Sequence, residues 1–386
     1  MEKIQVLLAG TGGYGARYLE LLLNEDGGFF EFAGAVDPFV SSSPHFTEMK
    51  ARNIPVYHRP EHFFAEKRAD LTIISSPIHT HYPYTLVCLR NGSYVLCEKP
   101  VTSSLAHMDE LITEEKKSGL FVAVGFQLCF SQDSLTLKKD ILDGLFGKPL
   151  EFKAICMLRR GTNYYKRNGW AGKLNYEGQA ILDSPLQNAC SHELMNMLFL
   201  LGDRLEKSDN VVSAEAELWQ GRPDIENFDA AAIRFITGMG VKIHFYTAHC
   251  IKENMAAPIG EFCFEKAVVR WENQGQSSNA GFTAYFRDGR VKTYDIDTGK
   301  PLQKFYDTVE AVRSKAPPIC TLETVRPHTQ CVTLVQQFPV TKVPPEKLVR
   351  EVTAEGDVFY YAPDLEKALF LFYEKSALPS ELGFSL

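Results

Sequence analysis

The chain has no Cys-x-x-Cys pair, no excess of basic residues, no run of about 18 apolar residues, and no internal repeat or low-complexity segment. Each absence removes a class of protein. The nine cysteines (Cys88, Cys97, Cys129, Cys156, Cys190, Cys250, Cys263, Cys320 and Cys331) are odd in number and scattered. A disulfide framework or zinc knuckle would cluster them, so reduced thiols in a cytoplasmic protein are expected. A formal net charge of -7 denies a nucleic-acid binder the basic face that phosphates demand. It leaves room for one phosphorylated cofactor, because a glycine loop and a helix end hold phosphate without net positive charge. With no long apolar run, no membrane span is expected. The opening MEKIQVLLAG lacks a signal-peptide cleavage pattern and leads straight into glycines, so it reads as a strand.

At 386 residues the chain exceeds one ordinary core, and domains of roughly 100–200 residues make two the expectation. The apolar run 4–9 ends in glycine, as a strand buried on both faces does. Helical spacing follows over 14–24. Strand-like runs at 30–37, 70–76, 94–99 and 120–127 then alternate with helical patterns at 80–91 and 104–118. That alternation predicts an α/β doubly wound parallel sheet. After a helix at 131–143 the pattern changes to strands at 150–159, 211–219, 228–237, 240–249, 259–271, 281–287 and 290–295. Turns at Thr237-Gly238-Met239-Gly240 and Asp288-Gly289 link neighbours, which favours a mainly antiparallel sheet. Helices are expected at 184–201, 301–315, 321–338 and 363–375. The boundary falls near 125–145, giving an NAD(P)-binding domain over 1–130 and a substrate-binding domain over 131–386.

Gly10-Thr11-Gly12-Gly13-Tyr14-Gly15 fits the G-x-G-x-x-G fingerprint between a strand and a helix. Gly10 permits the tight turn, Gly12 lets backbone approach a pyrophosphate, and Gly15 lets the helix pack on the sheet. The helix N-terminus adds N–H groups and partial positive charge. Asp37 ends the next strand, where a carboxylate accepts bonds from the adenosine ribose and repels a 2'-phosphate. NAD is the expected cofactor, with NADP the alternative. Ser75-Ser76-Pro77 lies at a strand's carboxyl end, suited to a cofactor crossing the sheet or equally to a plain turn.

Glu98-Lys99-Pro100 completes a signature. A nucleotide fingerprint at the start, followed near residue 100 by strand and Glu-Lys-Pro, resembles the glucose–fructose oxidoreductase / inositol dehydrogenase / MocA (Gfo/Idh/MocA) family. The resemblance covers 1–130, continues more weakly over 147–202 and then fades. It implies an N-terminal Rossmann domain and a C-terminal α+β domain on a large open, mainly antiparallel sheet. That sheet's outer face commonly mediates assembly, hence a homodimer or homotetramer. It also implies hydride transfer between a nicotinamide cofactor and a hydroxyl or carbonyl of a sugar, inositol or sugar-derived substrate. Lys99 would sit between nicotinamide and substrate and stabilise alkoxide character on the reacting oxygen. Glu98 and Gln127 join the cofactor set, and His81 of Pro77-Ile78-His79-Thr80-His81 takes the family's histidine position although the usual asparagine is missing. The His79/His81 pair lacks the clustered carboxylates or cysteines of a metal site, so no metal is expected.

The family's Gly-Gly-x-x-x-Asp-x-x-x-His is interrupted here. Asp183 matches its aspartate, but His192 stands where alignment from the helix end places the histidine, and Asn188 where that alignment puts the aspartate. The resemblance makes His192 the acid/base, with Asp183 or Asn188 assisting. Asn188, His192 and Asn196 are four apart, the spacing of one helix face. The segment from Arg159 through Tyr164 and Tyr165 to Trp170 is rich in guanidinium groups and flat rings, suited to a polyhydroxylated substrate or, equally, to a subunit contact. The interrupted motif keeps a second reading open: an NAD-retaining glycoside hydrolase or a non-catalytic nucleotide-binding regulator on the same fold.

Overall fold

A computed structural model describes residues 3–24, 28–273, 280–295 and 302–386. The chain divides into two compact units: Met1–Phe130 with Lys300–Arg326, and Ser131–Gly299 with Pro327–Leu386.

In the first unit, strands β1 (Ile4–Ala9), β2 (Phe30–Val36), β3 (Val56–Tyr57), β4 (Leu71–Ile74), β5 (Tyr94–Cys97) and β6 (Val122–Val124) form one sheet in the order β3-β2-β1-β4-β5-β6. Every pair is parallel. Val6, Leu7, Leu8, Ala9, Leu71, Ile73 and Ile74 are fully buried, as expected where crossover helices cover both faces. The helix Leu105–Ser118 is stopped as the sequence indicates: Ser104 accepts the N–H of His107, and Gly119 takes a left-handed φ of 70°. Elements too short to show a period, the helices Phe46–Ala51 and Pro60–Glu66 and the edge strand β3, appear only in the structure.

The sequence assigns all of 131–386 to the second domain; the structure returns Lys300–Arg326 to the first unit. Within that segment the helix Gln303–Ser314 buries Phe305, Val309 and Val312 in the core that holds Val6, Leu8, Ile73 and Leu96. Thr321 then bridges Ala123 of β6. An apolar stripe announces that a helix will pack but not which sheet receives it. Residue 301, the first of the expected helix 301–315, lies outside the described residues.

The second unit contains β7 (Pro149–Met157), a short pair β8 (Asn175–Tyr176) and β9 (Gln179–Ala180), then β10 (Val211–Gln220), β11 (Ala230–Thr237), β12 (Lys242–Ala248), β13 (Ile259–Phe264), β14 (Ala267–Asn273), β15 (Ala280–Phe286), β16 (Val291–Thr293), β17 (Val340–Lys342), β18 (Val349–Val352) and β19 (Val358–Tyr361). Nine of them make one sheet in the order β16-β15-β14-β13-β7-β12-β11-β10-β17. It is antiparallel except at β7–β12 and β10–β17. The helix Pro363–Lys375 packs Leu365, Leu369 and Phe372 into the core beneath Ile155, Met157 and Tyr246. The single strand expected over 259–271 is a hairpin, β13 and β14, turning at Glu265-Lys266 without glycine, proline, asparagine or aspartate to announce it. Among the described residues no helix is long and apolar enough to cross a membrane. All nine cysteines are free thiols.

Candidate active site

The first unit gathers its candidate residues at one edge. Gly10 follows β1, Asp37 follows β2, Ser75 follows β4, Glu98 and Lys99 follow β5, and Gln127 lies beyond β6. All are at the carboxyl ends of parallel strands. The order reverses between β1 and β4, which is where open α/β sheets bind ligands.

The glycine loop has the form that a dinucleotide requires. Gly10 takes a φ of 90°, and a Cβ there would lie 2.5 Å from the backbone N of Ser76. A Cβ on Gly15 would lie 2.1 Å from the Gly10 carbonyl oxygen. Gly12 and Gly13, by contrast, have nothing within 4 Å of an added Cβ, so the crest of the loop is open backbone ahead of the helix Gly15–Asn24. These residues fit a pyrophosphate against the helix N-terminus.

Asp37 has a second role that its position did not announce. Its Oδ2 accepts the backbone N–H of Thr11 at 2.8 Å and the Thr11 hydroxyl at 2.7 Å, and its Oδ1 accepts the N–H of Phe39 at 2.8 Å. The carboxylate therefore anchors the loop; with about four lone-pair sites it retains acceptor capacity for a ribose hydroxyl. Ser76 Oγ bonds Thr80 Oγ1 at 2.6 Å, and Pro77 precedes the helix Ile78–Arg90.

Both neighbours of Lys99 are fixed. Glu98 is buried; its Oε1 accepts the Tyr18 hydroxyl at 2.7 Å and lies 2.5 Å from Lys304 Nζ. Lys304 also donates to the Gly125 carbonyl at 3.2 Å and stands 4.7 Å over the Tyr14 ring of the glycine loop. On the other side, His81 Nδ1 lies 2.8 Å from the Pro100 carbonyl oxygen and Nε2 2.8 Å from that of Ser76. Burial lowers the pKa of His81 while those two carbonyls and Glu98 oppose the shift. Its Nδ1 thus serves the Glu-Lys-Pro turn and its Nε2 the turn that follows β4. Lys99 itself is half-buried and its bond to Pro100 is cis. Gln127 is exposed in the short turn Gln127–Phe130.

Sequence reasoning missed Lys304, since nothing local marks one lysine of a helix start as buried. Lys304→Met is expected to cost about 3–5 kcal/mol of stability, because Glu98 then stays buried without its cation. The double variant Glu98→Gln/Lys304→Met is expected to lose less than the sum of the single changes. Denaturant midpoints of the three variants check this; additive losses would show that the pair does not interact.

The second unit is described by itself. Arg159 and Arg160 follow β7, and their side chains go to different partners. Arg159 pairs with Glu351 at 2.8 Å and covers the Phe359 ring at 3.8 Å, both on the β18–β19 hairpin. Arg160 instead lies 4.7 Å over the Tyr164 ring. Arg167 stacks on Tyr164 at 3.6 Å and on Trp170 at 4.9 Å. The Tyr165 hydroxyl is 2.8 Å from His249 Nδ1, and the Tyr164 ring stands edge-on to His249 at 5.7 Å. Of the expected group, Tyr164, Tyr165 and Trp170 cluster with Arg160, Arg167 and His249, while Arg159 serves the hairpin.

Asp183 is buried; its Oδ2 accepts the N–H of Gly172 at 2.7 Å and its Oδ1 accepts Asn188 Nδ2–H at 3.0 Å. The two residues weighed as alternatives are therefore one bonded pair. Burial, then the Asp183 charge, push the Tyr164 hydroxyl up to about 12, with Arg167 and Arg160 pulling the other way. Between Asp183 and His192 the chain forms a π-turn, Pro185–Ala189, started by Ser184 accepting the N–H of Gln187. Such turns absorb inserted residues and recur at functional sites. Cys190, at φ -111°, separates the turn from the helix Ser191–Leu200. Asn188, His192 and Asn196 therefore do not share one continuous helical face as their spacing predicts. His192 is half-buried in the helix's first turn, and Asn196 is fully buried.

Residues 4–126 match a family described as "Oxidoreductase family, NAD-binding Rossmann fold". Among characterised relatives, the D-glucoside 3-dehydrogenase of Escherichia coli is 27% identical over 183 residues, 47% of this chain and 50% of that protein. The inositol 2-dehydrogenase of Klebsiella pneumoniae is 28% identical over 257 residues, 64% of this chain and 69% of that protein. An uncharacterised oxidoreductase of Schizosaccharomyces pombe is 34% identical over 28% of this chain and 30% of its own length. The chain thus spans half or less of the length of the first relatives it matches. In fold it is similar to the WlbA dehydrogenase of Bordetella pertussis, solved with NADH and UDP-GlcNAcA: the TM-score is 0.69 at 17% identity, over 87% of this chain and 96% of that one.

Proposed function

From the match of residues 4–126 to an oxidoreductase family with an NAD-binding Rossmann fold, we propose that the chain belongs to the Gfo/Idh/MocA oxidoreductases and is a nicotinamide-dependent dehydrogenase. Its substrate is a sugar, inositol or related polyhydroxy compound. The observation that carries this reading is the alignment of an open glycine crest, Asp37 and Lys99 along the carboxyl edge of one parallel sheet, at its switch point. Relatives named as glucoside and inositol dehydrogenases support the substrate class.

When bound, the nicotinamide supplies the acceptor or donor of hydride. Gly10, Gly12, Gly13 and Gly15 present backbone to its pyrophosphate, with Thr11 pinned by Asp37. Lys99, held between the anchored Glu98 and Pro100, donates a hydrogen bond to the reacting oxygen and stabilises negative charge there. His192 moves the proton, and the Asp183–Asn188 pair holds the turn that precedes it. We further read the protein as a cytoplasmic homo-oligomer, dimer or tetramer, on the resemblance and the free thiols. A panel of polyols, sugars and sugar acids, followed by absorbance of reduced cofactor with NAD and NADP in parallel, tests the reading. Net reduced cofactor supports a dehydrogenase; sugar release without it supports an NAD-retaining hydrolase. No calorimetric heat from either dinucleotide with apoprotein would sink both.

Asp37 carries the cofactor choice. Asp37→Ala is expected to narrow the preference for NAD over NADP about tenfold, by removing the charge that repels a 2'-phosphate. NAD affinity should fall as well, since Thr11 loses its anchor. Dissociation constants unchanged for both dinucleotides would remove this role.

A further inference from the structure

The cluster around Tyr164 holds cations that the protein itself does not neutralise. Arg159 has Glu351, and Arg222 has Asp224 at 2.9 Å. Arg160 and Arg167 have no carboxylate within ion-pair distance among the described residues. Arg167 spends one donor on the carbonyl of Tyr164. Arg160 has its Nε buried with no hydrogen-bond partner there. Asp183, whose charge acts on Tyr164, accepts hydrogen bonds from Gly172 and Asn188.

Two buried neighbours repeat the pattern. His249 is 2% exposed; with the Tyr165 hydroxyl at Nδ1, its Nε2 has no partner among the described residues. Trp170, 9% exposed, has an indole N–H likewise without an acceptor. A buried donor without an acceptor is costly and rare in proteins. Burial first, then the charges of Arg160, Arg167 and Arg222, hold His249 well below its usual pKa, so the imidazole is neutral at pH 7. Neutral polyols offer hydroxyls that donate as readily as they accept. Donor-only guanidinium groups and an indole N–H call for an acceptor-rich group, which is a carboxylate or phosphate.

We propose that the second unit binds its substrate through an anionic group, a carboxylate or phosphate monoester, received by Arg160 with Arg167, His249 and Trp170 around the Tyr164 ring. The inference rests on the dehydrogenase reading and narrows its substrate to sugar acids or sugar phosphates.

The test uses the full-length protein and matched triplets: glucose, glucuronate and glucose 6-phosphate, with the galactose and mannose equivalents. Binding is read by calorimetry with and without NAD, and turnover by cofactor absorbance. The expected result is that an anionic member binds or turns over about 100-fold better than its neutral partner, as charge-assisted bonds allow. Which arm wins separates carboxylate from phosphate. Arg160→Met is expected to collapse that preference to within a few-fold of unity, while Arg160→Lys keeps part of it and the NAD dissociation constant stays as in wild type. Neutral sugars equal to or better than their anionic partners in every triplet would overturn the proposal, as would an anionic preference that survives Arg160→Met. The wild-type preference decides the matter even if that variant fails to fold. Failure of NAD itself to bind would instead overturn the dehydrogenase reading, and the arm without NAD still reports on the anion site.

Discussion

Lys99→Met is expected to bind NAD with near-wild-type affinity and to turn over substrate about 10²–10⁴-fold more slowly. The substitution removes one ammonium and keeps the stem's bulk. The backbone around it is held from both sides: Glu98 by Tyr18 and Lys304, Pro100 by His81. The turn should therefore persist, and the loss should fall on kcat rather than on cofactor binding. Steady-state rates on the best substrate from the panel, beside calorimetry with NAD, check both halves. Turnover within a few-fold of wild type would exclude the mechanism.

The second large effect is a contrast between two glycines of one loop. Gly15→Ala forces a Cβ to within 2.1 Å of the Gly10 carbonyl oxygen, so backbone must move. Overpacking of this kind costs about 1–3 kcal/mol or more, and here it also displaces the amides that would meet the pyrophosphate. Dinucleotide binding should fall below detection, with a lowered Tm. Gly12→Ala adds its Cβ to open space. Its Tm should match wild type, while NAD affinity drops about tenfold or more because only the ligand occupies that space. If Gly12→Ala bound NAD normally, the crest would not face a pyrophosphate. Equal Tm losses in the two variants would show that the loop's shape is misread.

The first sheet was legible chiefly through β1, β4, β5 and β6, which are buried on both faces and read as largely apolar runs, several of them ending at a residue with recognisable chemistry. The glycine fingerprint, Asp37 and Lys99 could be placed for that reason. What stayed hidden was non-local or a matter of sign. Lys304 reaches Glu98 only through tertiary return of the chain. Asp37 was legible as a strand-end acid, but its bonds to Thr11 depend on loop shape. The gap between Asp183 and His192 was visible as extra residues, yet their folding into a π-turn, and the hydrogen bond joining Asp183 to Asn188, were not. Arg159 and Arg160 look interchangeable in composition; one bond of chain decides which of them meets Tyr164. The turn at Glu265-Lys266 carries no breaker, so a continuous hydrophobic pattern concealed a hairpin.

The passage of Lys300–Arg326 back into the first unit makes that unit discontinuous along the gene. A fragment cut after Phe130 would strip Glu98 of its cation, open the core at Phe305 and Val309, and leave Ala123 without its bridge. No single truncation can isolate the nucleotide-binding half. A minimal version has to splice residues 302–326 onto the end of the first stretch, as a circular permutation or a short designed joint would. By the same logic, an insertion that exchanges this protein's second half for another's must restore two crossings of the chain, not one.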